Sequence, residues 1–218
     1  MLQFIQTTLD HIVVVAEHLE EGVEFCEKSF GDTLTRGGEH VRVGTHNYLL
    51  NLDGGIYLEV IAINPAAGAT DCPRWFGMDW QEQRRRAAKG PFLATFVART
   101  NQIGSAVTNL PSLGPVRHMQ RGSLKWQITI RDDGGLVENG TVPTIIHWPE
   151  GVHPTQVMPR SNCRLIRLDA FHPQPAQLRG AWTRIGLEEN ASLAIRQGEG
   201  DPSLVAHLAT PNGTVVLR

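Results

Sequence analysis

The sequence lacks the features that mark several large classes of protein. It has three cysteines, Cys26, Cys72 and Cys163, which are widely separated and form no CxxC pair. Reduced thiols in a cytoplasmic protein are the simplest interpretation of such a pattern. There is no long apolar run, and the first residues show no basic region followed by an apolar stretch and a cleavage site. We therefore expect neither a transmembrane helix nor a signal peptide.

Neither sign of charge is in large excess, because the formal net charge is -2 at pH 7. No basic field indicates a nucleic-acid partner or an anionic membrane surface. The densest basic run, Arg84-Arg85-Arg86 with Lys89, is more typical of a solvated helix face than of a phosphate site. A GxSxG nucleophile motif, a phosphate-binding loop and a dinucleotide fingerprint are all absent from the sequence, so nucleophilic catalysis has no positive support.

The composition is that of an ordinary globular protein, and the predicted elements recur in a repeating order. The chain has 218 residues, of which 41% are hydrophobic and 19% are charged, enough for one large domain or two small ones. A strand, a helix and several strands follow one another three times. In the first pass, a β-branched strand at 9–16 precedes a helix at 18–30, and strands are predicted near 41–43, at 48–52 and at 56–63. The apolar stripe of the helix consists of Leu19, Val23, Cys26 and Phe30, and Gly31 is its predicted terminator.

These patterns predict an α+β fold of repeated βαβββ units. Two such units packed together can enclose a cavity between their curled sheets, and the third, smaller unit either packs beside them or completes a different pairing. The predicted divisions are a first unit at 1–63, a covering insertion at 64–89, a second unit at 90–148, a linker at 149–162 and a compact third unit at 163–218. The insertion is long for a connection and contains a short polar helix near 80–88, so we expect it to cover a cleft.

Two polar residues lie within strongly apolar strands. His11 belongs to the first strand, and Glu59 lies in the middle of the strand at 56–63. A buried carboxylate is costly unless it meets a cation, a metal or a histidine, and His11 is a natural partner. The alternative for His11 alone is a core histidine bonded to a backbone carbonyl. Imidazole and carboxylate are also ligands of divalent metals.

Other residues are weaker candidates for a functional role. The stretch Gly44-Thr45-His46-Asn47 is either a polar rim, in which His46 acts as an acid or base, or a turn held by its own side chains. Arg121 and Trp126 could line a pocket for a planar or anionic ligand, although Trp126 is more often a packing residue. Most of the remaining histidines are expected outside the site. His18 is predicted to be solvated at a helix start. Five others are predicted to lie in loops or on the surface, namely His40, His118, His153, His172 and His207.

Several segments together resemble one known family. Leu9-Asp10-His11-Ile12-Val13-Val14, Gly44-Thr45-His46-Asn47 and Tyr57-Leu58-Glu59-Val60-Ile61-Ala62 look like the glyoxalase-like group of the vicinal oxygen chelate superfamily. Arg74-Trp75-Phe76-Gly77 and Pro143-Thr144-Ile145-Ile146-His147-Trp148 are similar to further segments of that group. The resemblance implies paired βαβββ units that form an open, curved-sheet barrel around a cavity. For the superfamily, it also implies a divalent metal that chelates neighbouring oxygens of a substrate.

Carried onto this sequence, the resemblance assigns the first-strand ligand to His11 and the fourth-strand ligand to Glu59. In the second unit the matching places fall near Phe92 or Leu93, which cannot bind metal, and at or near His147. The implied set is therefore His11, Glu59 and His147, holding Zn, Ni, Mn or Fe. Glu59 and His46 would be the catalytic residues, and Asn47, Arg121 and Trp126 would bind substrate.

The expected function is an enzyme acting on a small oxygenated metabolite through carbonyl or enolate chemistry, of isomerase, lyase or dioxygenase type and with possible metal assistance. Two alternatives remain open. One is a metal-free protein that binds or sequesters a small molecule, and the other is an assembly subunit without catalysis. The expected partner is a small-molecule ligand rather than nucleic acid or membrane, with a homodimer as one expected assembly and the cytoplasm as the expected location.

Overall fold

A computed structural model describes residues 5–70 and 72–218 of the chain. The first part contains β1 (Thr8–Val15), α1 (Leu19–Phe30), β2 (Thr35–His40), β3 (Thr45–Asn51), β4 (Tyr57–Ile63) and α2 (Gln81–Ala87). The middle contains β5 (Phe92–Arg99), α3 (Ile103–Asn109), β6 (Val116–Arg121), β7 (Leu124–Thr129) and β8 (Thr144–His147). The last part contains β9 (Arg164–His172), α4 (Pro175–Arg184), β10 (Leu193–Gln197), β11 (Ser203–Thr210) and β12 (Gly213–Leu217). The fold is α+β, as predicted. Within the described ranges, no helix has both the length and the hydrophobicity needed to cross a bilayer.

The first two units share one curved sheet. Its eight strands follow the order β2-β3-β4-β1-β5-β8-β7-β6. Within each unit the first strand pairs in parallel with the fourth, β1 with β4 and β5 with β8. The units join where β1 and β5 run antiparallel. The first and second units therefore enclose the cavity, a pairing that the sequence alone did not decide.

The sheet curls until its two edge strands approach one another without pairing. β2 and β6 stand at opposite ends of the strand order and are in contact. Two arginines cross this seam: Arg42 donates to the carbonyl of His118 at 2.7 Å, and Arg121 donates to Asn47 Oδ1 at 3.1 Å. The result is an open barrel in which side chains, rather than a backbone ladder, bridge the last gap.

Alternation along β1 separates two cores, because successive side chains of a strand point to opposite faces. Val13 and Val15 belong to the cluster inside the barrel, whereas Ile12 and Val14 belong to the cluster beneath α1. The predicted stripe of α1 is confirmed, since Leu19, Cys26 and Phe30 are buried and Val23 is half-buried. The helix ends as predicted at Gly31, whose φ of 69° is the left-handed conformation that glycine adopts without strain.

The third unit repeats the order of elements but pairs its strands differently. In its separate sheet, β10-β9-β11-β12, the first strand β9 runs parallel to β10 instead of to the last strand. Trp182 of α4 attaches this unit to the barrel, packing edge-on against Phe96 at 5.8 Å and donating its indole N–H to the carbonyl of Thr141. One hydrophobic cluster runs through all three units as a consequence.

One predicted strand was misplaced. The β-branched residues 41–43 were expected to form the second strand, but the strand is Thr35–His40, and residues 41–44 form a turn in which Val41 is exposed. An edge strand such as β2 is held by its ladder with β3 and needs no apolar alternation of its own. Its sequence, which contains Gly37-Gly38, therefore gave no periodic signal.

Candidate functional site

The barrel encloses a small polar cavity, called here the inner chamber. Its polar lining consists of His11, His40, Tyr57, Glu59 and Arg121. Its aromatic lining consists of Trp75, Phe76, Trp126 and Trp148. Trp75 and Phe76 come from the 64–89 insertion, which thus contributes to the wall of the chamber. The free volume is about 30 Å³, which is room for only a few water-sized groups.

A β-bulge places two consecutive polar residues side by side at this chamber. In the pairing of β1 with β5, Leu9 faces Ala98 and His11 faces Val97, so Asp10 is an extra residue without a partner. Such a bulge bends the strand and re-aims its side chains. Asp10 Oδ1 consequently lies 2.6 Å from Nδ1 of His11, although neighbours on a regular strand point apart.

Asp10 is fully buried and surrounded by donors. Its Oδ2 atom lies 3.1 Å from His153 Nε2, 3.1 Å from Trp148 Nε1 and 3.5 Å from Arg99 Nη1. Burial alone would raise the pKa of this carboxyl, but the hydrogen bonds and charges of His11 and His153 hold the pKa well below its usual range. Asp10 is therefore an ionised carboxylate that orients His11 from behind.

The other ring nitrogen of His11 faces Glu59. His11 Nε2 lies 3.5 Å from Glu59 Oε2, and the ring stacks on Tyr57 with centroids 4.3 Å apart. Burial alone would lower the pKa of His11, but hydrogen bonds and charge from Asp10 and Glu59 raise the pKa above its ordinary value. The geometry is that of an imidazolium held between two carboxylates.

A chain of hydrogen bonds connects Glu59 to the far edge of the barrel. Asn47 Nδ2 donates to Glu59 Oε1, and Arg121 Nη1 donates to Asn47 Oδ1 at 3.1 Å. Burial would raise the pKa of Glu59, but the hydrogen bond and charge of His11, the charge of His40 and the hydrogen bond of Asn47 together lower the pKa to about 2. Asn47 and Arg121, predicted to bind substrate, thus lie next to Glu59.

Glycine at position 37 leaves room for the hydrogen bond between Arg121 and Asn47 across the seam. A Cβ atom there would lie 2.1 Å from Asn47 Oδ1 and 3.0 Å from Arg121 Nη1. Real Cβ atoms do not approach other heavy atoms so closely, so any side chain at this position would displace the amide or the guanidinium. Gly37 is a residue of the site that sequence reasoning missed.

His40 was expected in a loop or on the surface and is instead the last residue of β2, buried in the chamber wall. It is only 3% exposed, and its Nδ1 lies 3.0 Å from the hydroxyl of Thr45. Burial lowers the pKa of His40 to about 4, so the ring is neutral at physiological pH. The error follows from the misplaced second strand, because His40 is the last residue of β2.

The expectation was also wrong for His172, the last residue of β9, which is 3% exposed and contacts Glu138 at 3.2 Å. His153 lies in a loop, as expected, but is half-buried and reaches Asp10. The remaining two are more accessible: His118 is exposed, as expected, while His207 is half-buried and lies 3.6 Å from Asp169. Loop position alone did not distinguish these cases, since burial depends on which segments pack over the loop.

His46, the predicted acid or base, lies outside the chamber. It is half-buried on β3 between Thr45 and Asn47, whose side chains point inward, and the charged groups around it are Glu20, Glu39 and Arg36. Burial lowers the pKa of His46. The structure does not bring His46 to Glu59.

His147 is also separated from the His11–Glu59 pair. Its Nδ1 atom lies 3.1 Å from the carbonyl of Thr100, whereas its neighbours Ile146 and Trp148 line the chamber. On β5, Phe92 belongs to the apolar cluster inside the barrel. Across residues 5–70 and 72–218, no group of three or more His, Cys, Asp or Glu side chains is arranged to hold a metal ion. The three-ligand set implied by the resemblance is not assembled here.

Comparison with known families agrees with this architecture. A model of the glyoxalase-like domain matches residues 9–186, which includes the whole barrel and part of the third unit. The chain belongs to this glyoxalase-like family. The family lies within the vicinal oxygen chelate superfamily. No curated protein matches the sequence.

Solved structures similar to this glyoxalase-like protein share little sequence with it. A hypothetical protein from Staphylococcus aureus is 17% identical with a TM-score of 0.52, covering 96% of this chain and 84% of the other. A mutant 4-hydroxymandelate synthase from Streptomyces coelicolor is 12% identical with a TM-score of 0.50, covering 97% and 63%. Methylmalonyl-CoA epimerase from Mycobacterium tuberculosis is 18% identical with a TM-score of 0.42, covering 68% and 93%. At such identities the likeness to the first two structures establishes the fold alone.

Proposed function

We propose that this glyoxalase-like protein is an enzyme that transfers a proton next to a carbonyl group of a small oxygenated metabolite. The observation that carries the proposal is the contact of 3.5 Å between His11 Nε2 and Glu59 Oε2 inside the chamber. Buried ionisable pairs with shifted pKa values are costly to maintain and are concentrated at functional sites. Isomerase and lyase reactions of carbonyl compounds both begin with such a transfer.

Glu59 and His11 would have different roles in the proton transfer. Glu59 is ionised and so is in the protonation state of a general base. His11, as an imidazolium, would donate a hydrogen bond to the oxygen on which negative charge develops. A substrate oxygen entering between them would break their mutual contact and so raise the basicity of Glu59. Arg121, half-buried beside Asn47, would bind a carboxylate or hydroxyl of the substrate.

A resident metal does not fit the side chains present. His11 Nε2 and Glu59 Oε2 supply two donors, whereas protein sites for Zn, Ni, Mn or Fe normally use three or four. His147, the third donor implied by the family resemblance, bonds to the Thr100 carbonyl instead. The proposed proton transfer therefore uses the protein's own groups.

The test is exchange of carbon-bound hydrogen in heavy water. Pyruvate, oxaloacetate, dihydroxyacetone and methylglyoxal serve as probes, and proton NMR measures the loss of the signal next to the carbonyl. At least one probe should exchange faster with protein than without it. Glu59→Gln keeps the acceptor for Asn47 and should reduce the enhancement at least 100-fold, in the range typical of a lost general base.

Glu24→Gln is the matched control, because Glu24 is exposed on α1. It should exchange at the wild-type rate. Equal rates for Glu59→Gln and wild type would overturn the assignment of the base. Saturable binding of a probe without any exchange would favour a second function.

The second function is to bind or sequester a small molecule without a metal. The apolar inner wall of the second unit supports it, since β5 contributes Phe92, Ala94 and Val97 to the inner cluster, and the hydroxyl of Thr95, opposite Val13, donates to the carbonyl of Gly140. An assembly subunit, a homodimer and a cytoplasmic location stay predictions. The cytoplasmic location is supported by three free, buried cysteines.

A further inference from the structure

One hydrogen-bond donor in the wall of the inner chamber has no acceptor. The indole of Trp75, which comes from the 64–89 insertion, lines the chamber and is only 4% exposed. Its Nε1 atom is buried, and no acceptor among residues 5–70 and 72–218 lies within hydrogen-bond distance of it. A buried N–H without a partner is costly, so such a group in a folded protein calls for an explanation.

Three other tryptophans show the usual arrangement, in which the indole N–H finds an acceptor within the protein. Trp80 donates to a backbone carbonyl at 3.1 Å, and Trp182 donates to another at 2.9 Å. Trp148, which also lines the chamber, donates to the carboxylate of Asp10 at 3.1 Å. Trp75 therefore differs from these three in offering a buried donor that the protein itself does not use.

The backbone next to Trp75 is strained. Phe76 has a φ of 59°, a left-handed conformation that is rare for a bulky residue, and Gly77 follows with a φ of 67°. The N–H of Gly77 donates to the carbonyl of Gly134 at 2.8 Å, which fixes the bend. Two successive rings, Trp75 and Phe76, thus line the chamber together, stacked with centroids 5.6 Å apart. Strain of this kind is concentrated at sites that hold ligands.

Trp75 borders two cavities of different size. The chamber has about 30 Å³, whereas the crevice between Trp75 and Thr129 has about 10 Å³, no more than one water molecule needs. On the chamber side, the Trp75 ring meets His40 edge-on with centroids 4.8 Å apart. The chamber is therefore the side with room for the acceptor group that Trp75 lacks.

We propose that the indole N–H of Trp75 binds an oxygen of the small molecule held in the inner chamber, and so selects ligands with a second oxygen besides the reacting carbonyl. His11 holds the carbonyl oxygen, and Trp75 holds the second one, which belongs to a hydroxyl, a carbonyl or a carboxylate. This inference rests on the proposed function, since it takes the chamber as the ligand site. Trp75 is then a specificity-determining residue contributed by the 64–89 insertion.

The test is an NMR titration of the full chain, isotope-labelled at the indole nitrogens, with pyruvate and with dihydroxyacetone. At least one probe should move the Trp75 N–H proton signal downfield and saturably, because a hydrogen bond to oxygen deshields the donated proton. The signal of Trp182, which is already bonded to a backbone carbonyl, should stay in place. Acetone, whose single oxygen would lie at His11, should leave the Trp75 signal unchanged.

The affinity of the same probe measures what the donor contributes. Saturation-transfer NMR on the protons of the probe gives its Kd. Trp75→Phe removes the N–H but keeps an aromatic ring, and it should weaken binding about three- to tenfold, as the loss of one hydrogen bond does. Trp80→Phe is the matched control, because it is the same change in the same insertion at an indole that donates to the carbonyl of Asp133. It should leave the Kd unchanged.

The shift of the Trp75 signal is read in the wild-type protein, so it does not depend on the folding of a variant. Four results would each overturn the inference: no saturable binding of either probe, binding that leaves the Trp75 signal in place, an equal shift with acetone, or equal weakening by Trp75→Phe and Trp80→Phe. Binding that shifts the Trp75 signal without hydrogen exchange of any carbonyl probe would contradict only the proposed function. Exchange that depends on Glu59 without a shift of the Trp75 signal would overturn only the role of Trp75.

Discussion

Asp10 and His11 are neighbours in sequence and also partners in space, with Asp10 Oδ1 only 2.6 Å from His11 Nδ1. The bulge in β1 makes this possible, because Asp10 has no partner on β5. The carboxylate thereby fixes one nitrogen of the imidazole and turns the other towards Glu59. A carboxylate behind a histidine orients the ring and favours its charged form.

The first prediction concerns the charge of His11. Asp10→Asn should lower the pKa of His11, because the change removes the carboxylate that most favours the imidazolium after burial is taken into account. NMR titration of the imidazole signals measures this pKa, and the His11→Gln spectrum assigns the signal. Asp132→Asn is the control, since Asp132 is 85% exposed. An unchanged His11 titration in Asp10→Asn would contradict the proposed pairing.

The second prediction concerns stability and pH. The pKa of Glu59 is lowered from 4.5 to about 2, so its contribution is complete above pH 4.5 and is lost as pH falls towards 2. The lowered pKa of Asp10 acts in the same direction below pH 3.8. The raised pKa of His11 has the opposite sign: its contribution is complete below pH 6.5 and is lost as pH rises through the folded-state value.

The free energy of unfolding should accordingly be highest between about pH 4.5 and pH 6.5, as far as these three groups determine it. Urea unfolding at a series of pH values measures it. Glu59→Gln should show a shallower decline below pH 4.5, with the remaining slope coming from Asp10. If the free energy of unfolding of the variant fell as steeply below pH 4.5 as that of the wild type, the assignment of a lowered pKa to Glu59 would be wrong.

The third prediction compares two glycines. Gly37→Ala should destabilise the protein by about 1–3 kcal/mol, because the new methyl group would collide with Asn47 and Arg121. Gly104→Ala, in α3 where a Cβ meets nothing within 4 Å, should instead stabilise it by about 0.5–1 kcal/mol. Urea unfolding of both variants checks the signs. Equal changes in the free energy of unfolding for the two variants would show that the seam tolerates a side chain at position 37.

The fourth prediction concerns metal. Whatever affinity the protein shows for Zn, Ni, Mn or Fe(II) in calorimetric titrations, His147→Gln should change it less than about twofold. The reason is that the His147 ring bonds to the Thr100 carbonyl and does not line the chamber. His11→Gln serves as the comparison, since it removes a donor that faces Glu59. A tenfold loss of metal affinity in His147→Gln would instead support a metal site with three ligands, His11, Glu59 and His147.

Sequence periodicity predicted the elements that depend on burial. The apolar strands β1 and β4 and the stripe of α1 are confirmed, because a short continuous apolar run marks a buried strand and apolar residues three and four apart mark a helix face. β2 was misplaced, since backbone pairing rather than an apolar face holds that edge strand. The division of the chain at 1–63, 64–89, 90–148, 149–162 and 163–218 stays a prediction.

The sequence by itself determined the α+β class, the family and the two polar residues within apolar strands. Those depend on local spacing and on the cost of burying charge, which a single strand already reveals. Only the tertiary structure decided that Asp10 lies behind His11, that His40 and Arg121 enter the chamber and that His46 and His147 do not. Each of those outcomes depends on a bulge, a shifted strand or the approach of two sheet edges, and none of these is encoded in the period of a single element.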